Sequence, residues 1–181
     1  LPEGEGEVQI EGEGEVLPEG EGEGESLDCT GPIWYVNDDN IEPGDGCSWT
    51  TALTSIQDAV NIAYSFGGGE VWVAAGTYRN TTNPIVTMKE GVRIYGGFNG
   101  TETERIQRDR ISNLTKIDGE NARKCIVGAN NAVLDGFTVT RGTQNTGSGL
   151  YCSGVSPTII NCIFVAHPES AVFIKSGGSP I

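Results

Sequence analysis

Apolar positions in this chain fall into many short runs with a single longer helical pattern among them. The runs are Ile33-Trp34-Tyr35-Val36, residues 70–78, Ile85-Val86-Thr87-Met88 and Val92-Arg93-Ile94-Tyr95. They resume as Thr115-Lys116-Ile117, Cys125-Ile126-Val127 and Ala132-Val133-Leu134. Each is rich in β-branched or aromatic residues and bounded by Gly, Asn or Asp, which is how short strands joined by tight corners are written. The exception is residues 54–66, where Leu53, Ile56, Ala59, Val60, Ala63 and Tyr64 recur at helical spacing. Thr54 and Gln57 read as a capping box at the start of this predicted helix, and Gly67-Gly68-Gly69 as its stop.

Late in the chain the pattern repeats itself. Residues 148–152 lead to Ser156-Pro157-Thr158-Ile159, and residues 170–174 lead to Ser179-Pro180-Ile181. Ser148 to Ser170 is 22 positions and Pro157 to Pro180 is 23, while residues 134–139 match residues 159–164 at an offset of 25. A β-rich period of that size predicts a solenoid, in which each repeat buries its apolar face by stacking on its neighbours. Alternation sends Leu134, Phe137 and Val139, then Ile159, Cys162 and Phe164, inward, with corners at Gly136 and Asn161. The Asn161 amide is expected to satisfy backbone groups at its corner. The helix is expected to cover the first coil, and the charged residues 101–113 to loop out of the solenoid. With no cap after the last repeat, the chain is expected to associate or fray at that end.

Charge changes the picture only once it is located. The net charge of −14 over 181 residues comes mainly from residues 1–28, whose ten glutamates and Asp28 meet no Lys or Arg, giving −11. The remaining 14 acids and 11 bases leave −3. Residues 3–26 are three octads of alternating Glu and Gly, so residues 1–28 are predicted to be a disordered linker and residues 29–181 one folded domain. No basic cluster suits nucleic acid, and no apolar run approaches the roughly 18 residues needed to span a bilayer. The chain lacks an initiator Met and ends on an opened repeat, so it is expected to be the N-terminal part of a longer β-domain whose further coils would be its partners. Five cysteines (29, 47, 125, 152 and 162) contain no CxxC, and His167 is the single histidine, so the ligand spacing of a zinc site is missing. Cys29 and Cys47 could close a loop by a disulfide or stand as free thiols. Cys162 occupies the place of Phe137 in the preceding repeat, as a small buried hydrophobe.

Residues 34–37, 46–52, 56–59, 68–78, 91–102 and 156–164 together resemble a known group. They are similar to the entry segment and coil repeat of bacterial surface right-handed parallel β-helix proteins, the pectate-lyase-like superfamily. Within it the likeness is to repeat-bearing proteins akin to chlamydial polymorphic outer membrane proteins, with Ile160 and Ile163 where a polar residue is more usual. The resemblance implies an all-β fold, a right-handed parallel β-helix with an N-terminal capping helix, on a secreted or surface-exposed protein. Lyases of this fold would place calcium-binding aspartates and an arginine base on one face, here Asp118, Asp135 and Arg141. An Asp before Gly at a corner is more simply turn chemistry. The hydrolase motifs of the fold are absent, and no carboxylate pair stands out for acid–base glycoside hydrolysis. Asp38, Asp39, Asn40 and Asp45 could chelate calcium but lack EF-hand spacing. His167, before Pro168, reads as a surface loop residue.

The expectation is therefore a non-catalytic extracellular or cell-surface module without a required cofactor, calcium being the one candidate. It would serve as a stalk, an adhesive surface or a carbohydrate contact. The alternative is a polysaccharide lyase or glycoside hydrolase whose catalytic coils lie beyond residue 181. Ligand-contact candidates are exposed Trp72, Tyr78 or Tyr95, with Arg108 and Arg110 of the charged stretch that also holds Arg105 and Asp109, and Arg141. That stretch reads either as a site for an acidic sugar or as an excursion pinned to the domain by ion pairs.

Overall fold

The computed structural model describes residues 29, 31–143 and 146–175. The predicted linker at residues 1–28 and the repeat at residues 179–181 lie outside the described residues. Strand β1 (Ile33–Val36) and helix α1 (Ile56–Ser65) come first. The chain then runs through β2 (Gly69–Ala74), β3 (Gly76–Tyr78) and β4 (Val86–Thr87), and next through β5 (Val92–Phe98), β6 (Thr115–Asp118) and β7 (Ile126–Val127). A third pass makes β8 (Val133–Asp135), β9 (Phe137–Thr140) and β10 (Leu150–Ser153). A fourth makes β11 (Thr158–Ile160), β12 (Ile163–Val165) and β13 (Val172–Lys175).

These strands form three parallel sheets: β1-β2-β5-β8-β11 (sheet A), β3-β6-β9-β12 (sheet B) and β4-β7-β10-β13 (sheet C). Each pass visits the sheets in the same order. The architecture is predominantly β and compatible with a parallel β-solenoid. Register reproduces the repeat read from the sequence: Leu134 pairs with Ile159, Val139 with Phe164, and Leu150 with Val172. Inward positions form one core, in which Val71, Ile94, Ile117, Leu134 and Val139 have no exposed surface. Gly136 and Asn161 turn the corner between sheets A and B with φ of 86° and 50°. At that corner the Asn161 amide donates to the Asp135 side chain one coil back (2.8 Å) rather than to backbone, a charged acceptor being the stronger partner.

Several expectations are corrected. The helix N-cap is Ser55, which accepts from the Asp58 N–H. Gln57 closes no capping box; its Oε1 accepts from Thr87 N–H (2.6 Å) and its Nε2 donates to Thr87 O (3.4 Å). The helix ends at Ser65, and the expected glycine stop is present: Gly67 N–H meets Tyr64 O and Gly68 N–H meets Ala63 O, a Schellman pair that needs the positive φ of Gly67. Tyr64 leaves the apolar stripe and stands exposed beneath Lys89. Gly96, Gly97 and Phe98 extend β5 instead of turning away from it, and residues 101–113 fold back onto sheet A. Residues 70–78 split into β2 and β3, with a register shift at Val73/Ala74.

The end of the domain where the chain enters is closed on every sheet. Beside β1, Gly46 O accepts from Tyr35 N–H, and Leu53 N–H donates to Tyr35 O. On sheet B the first strand, β3, has its outward Thr77 N–H taken by the Asp38 carboxylate (3.0 Å). On sheet C the Gln57 amide bonds both groups of Thr87 in β4, standing in for a strand. A disulfide between Cys29 and Cys47 ties this end together.

Candidate functional site

The outer face of sheet A carries a groove lined by strand and loop residues. Strand register aligns Glu70, Arg93 and Val133 in one row across β2, β5 and β8, and Trp72, Tyr95 and Asp135 in another. Ile160 lies beside Asp135 in the next strand. Above this face the chain makes its excursion. Glu102, a buried carboxylate, accepts from the N–H groups of Asn99, Gly100 and Thr101, while the Trp49 indole donates to the Glu102 carbonyl. A 3-10 turn at Arg105–Gln107 follows, and Asp109 N–H then bonds Gly97 O (2.8 Å). Gly97 has φ of 97°, and any side chain on it would meet the backbone of Arg110 at 2.8 Å, so the return of the loop needs that glycine. Hydrogen bonds from the Ser112 hydroxyl and from the N–H groups of Ile111 and Ser112 hold the Asp109 carboxyl below its usual range.

The excursion is pinned down by its arginines. Arg105 donates to Glu70 (2.6 Å) and to the Tyr95 hydroxyl (2.9 Å). Arg108 donates to Gly96 O (3.0 Å) and pairs with the Asp135 carboxylate (2.5 Å). Both guanidinium groups lie over the Tyr95 ring, at 4.5 and 5.2 Å from its centroid. Burial raises the Tyr95 hydroxyl pKa above its ordinary value, against the opposing charge of Arg105. Glu70 also accepts from the Trp72 indole (2.7 Å) and lies 3.7 Å from Arg93. Between the turn and the sheet remains a groove of about 720 Å³, with Ile106 on one wall, Val133 and Ile160 on the floor and Glu104 at the rim. Of the two readings of the charged stretch, pinning by ion pairs is what the geometry displays.

The aromatic candidates do not lie open. Trp72, Tyr78 and Tyr95 are only 2, 4 and 7 % exposed, which corrects the expectation of exposed rings. Trp72 stacks on Phe98 (4.7 Å) in a second apolar cluster outside sheet A, beside Tyr35 and Trp49. Tyr78 faces the core, its hydroxyl donating to Ala74 O (3.0 Å). Arg108 lines the groove, while Arg110 is exposed and runs its side chain past Gly136.

Arg141 belongs to a different place, the corner after β9. There it holds Asp118 with two hydrogen bonds, and Arg79 stands 3.5 Å from the same carboxylate. Glu120 joins Arg79 and Arg123 beside them. Burial alone would raise the Asp118 pKa, but the Arg141 and Glu120 N–H hydrogen bonds and the charges of Arg141 and Arg79 outweigh it and bring the pKa down. Asp118 lies on sheet B and Asp135 on sheet A, so the aspartates and arginine of the lyase pattern are split between two ion-pair clusters.

The remaining candidates are engaged one by one. Asp38 binds Thr77 N–H, Asp45 binds Cys47 N–H, and Asn40 donates to Ala52 O, so the loop that holds them does not converge on a shared point. His167 is half-buried rather than on an open loop; its Nδ1 accepts from Gly142 N–H (3.2 Å) and Nε2 lies 3.1 Å from Val139 O. Cys125, Cys152 and Cys162 are free thiols, and desolvation pushes Cys125 up to about 12 and Cys162 up to about 11, far from a reactive thiolate. Glu70, Glu102, Gln57 and Arg79 went unremarked in the sequence as functional positions. Only their register against neighbouring coils reveals them. No family model, curated protein or solved structure matches the chain.

Proposed function

We propose that this chain is a right-handed parallel β-helix of the pectate-lyase-like kind, working at the cell surface or outside the cell by contact rather than turnover. Its contact face is the outer side of sheet A, where the groove under residues 104–108 would take a polysaccharide or another surface component. The observation that supports contact over chemistry is the state of the groove carboxylates. Glu70 is engaged by Arg105, Arg93 and Trp72, and Asp135 by Arg108 and Asn161. Glycoside hydrolysis needs one carboxyl to give a proton while the other accepts one, and two carboxylates committed to guanidinium partners suit neither exchange. Polyhydroxylated ligands would instead bond to the half-exposed guanidinium groups of Arg93 and Arg105 and to Glu104 at the rim.

A glycan array probed with the full chain, and with Arg105→Ala, tests this. Binding to at least one polysaccharide class is expected, weakened about tenfold by the substitution, equivalent to roughly 1.4 kcal/mol. The same preparation is mixed with uronate polymers and calcium while absorbance from unsaturated product is followed. A rising absorbance would sink the contact reading in favour of the lyase alternative, and an array without any binding would sink the carbohydrate assignment.

A further inference from the structure

We infer that the groove over sheet A takes an uncharged polysaccharide, its sugar rings laid on apolar side chains, and refuses uronates and other acidic polymers. This inference rests on the contact reading above and names the ligand class. Charge in the groove is balanced before any ligand arrives. Glu70, Glu104 and Asp135 line it with Arg105 and Arg108, and Arg93 stands 3.7 Å from Glu70, so three anions meet three cations. Arg105 is committed to Glu70 (2.6 Å) and Arg108 to Asp135 (2.5 Å). An acidic sugar binding Arg105 would have to share it with Glu70 or displace Glu70. Sharing crowds two carboxylates on one guanidinium. Displacement strands Glu70, whose side chain is only 17 % exposed, without its partner. Nor does a positive field draw a polyanion in: the chain carries −14, and the 14 acids and 11 bases of residues 29–181 still leave −3.

What the groove offers instead is apolar surface edged by hydrogen-bonding groups. Ile106, 86 % exposed, stands on its wall and Val133 on its floor. The turn that carries Ile106 is held before any ligand arrives, because Gln107 Oε1 accepts from the N–H groups of Thr103 (2.9 Å) and Glu104 (3.0 Å). A pyranose ring is divided in the same way, with C–H groups on its faces and hydroxyls around its edge. The faces suit Ile106 and Val133. The hydroxyls suit the exposed parts of Arg93 and Arg105 and the Glu104 carboxylate, none of which has to give up an ion-pair partner to bind them.

Calorimetric titration of the full chain with a soluble glucan, mannan and galactan, and with polygalacturonate as the acidic probe, tests this. At least one neutral polymer should bind about tenfold or more tighter than polygalacturonate, with less than about a twofold change between roughly 0.05 and 0.5 M salt. Ile106→Ser should weaken that binding about tenfold with the circular dichroism spectrum retained, the side chain being exposed. Glu70→Gln keeps an acceptor for the Trp72 indole but removes the charge. Arg93 and Arg105 are then in excess, and polygalacturonate should bind about tenfold tighter than to the wild type at low salt. A wild type that prefers polygalacturonate and loses it on adding salt overturns this inference while the contact reading stands. An Ile106→Ser chain that binds as tightly as the wild type, or a Glu70→Gln chain that gains nothing for polygalacturonate, overturns it too. Binding to no polymer at all overturns both.

Discussion

The entry end of this domain and its last described coil are built from the same kind of strand and differ in what meets their edges. At the entry, polar side chains imitate a missing coil: the Gln57 amide bonds both backbone groups of Thr87, and the Asp38 carboxylate takes Thr77 N–H. Helix α1 lays Ile56, Ala59, Val60 and Ala63 onto the core, and Trp34 is sealed beneath Phe66. At the last described coil, the equivalent backbone rows end without such substitutes among the described residues, and Ile and Val side chains occupy the outer face. What closes a stack of coils is therefore not a hydrophobic lid alone. Edge hydrogen bonds must be met as well, because an unmet buried donor costs as much as a lost methyl group. Asp38 achieves this at close quarters: a side chain on Gly76 would overlap its carboxylate, so the glycine is what lets the cap descend onto β3.

The sharpest way to break this comparison is to truncate a large apolar side chain at each end. Trp34→Ala should cost about 3–5 kcal/mol in denaturant unfolding, since Trp34 is fully buried and nothing is placed to fill the cavity. Ile163→Thr, measured in dilute protein, should change stability by no more than about 0.5 kcal/mol, because the residue is mostly exposed and Thr138 shows that threonine suits the position. Equal costs would mean that Ile163 is packed as closely as Trp34.

A second test addresses the covalent part of the cap. Cys29 and Cys47 are 18 positions apart, and opening a loop of that size by Cys47→Ser should cost about 3 kcal/mol in the chain-entropy account. The loss should appear as a lower midpoint for the wild type under reducing conditions too, with the variant unaffected by the reductant. A variant as stable as the oxidised wild type would show that the cap holds without its tie.

The smallest effect concerns pH. Desolvation raises the Asp38 carboxyl pKa above its ordinary value of 3.8, Thr77 N–H opposing and Asp39 adding, and its Oδ1 has no hydrogen-bond partner among the described residues. With the folded pKa above the unfolded one, the ionised group weakens the fold at neutral pH. That weakening is relieved as pH falls through the folded pKa and is gone below the unfolded value. Asp38→Asn keeps an acceptor for Thr77 but cannot ionise, so the wild type should gain on the variant between pH 7 and pH 4. Solvent screening keeps that gain to about 1 kcal/mol or less. A difference between the two that stays constant with pH would remove the desolvated charge from the description of the cap.

Much of this architecture was legible in the chain itself. The 22- and 25-residue offsets anticipate the pairings of Leu150 with Val172 and Leu134 with Ile159, since a repeat that stacks must align equivalent residues. The helical stripe, the corners at Gly136 and Asn161 and the inward phase of Phe137 and Val139 follow from local sterics and period, which need no knowledge of distant residues. The candidate site was not legible in the same way. Alternation identifies Trp72 and Tyr95 as facing away from the core, yet they are buried because Trp49 and residues 102–108 return to cover them. Likewise Gln57 reads as half of a capping box until β4 is placed beside it.

The amino-acid sequence by itself determined the period, the strands, the helix and which side of each strand meets the core, because these depend on neighbours within a few residues or on a repeat that aligns with itself. Only the tertiary structure decided which charges meet. Arg105 reaches Glu70 across 35 positions, Arg108 reaches Asp135 across 27 and Arg141 reaches Asp118 across 23. Coil register and the path of one folded-back excursion set those distances, and no local pattern encodes either.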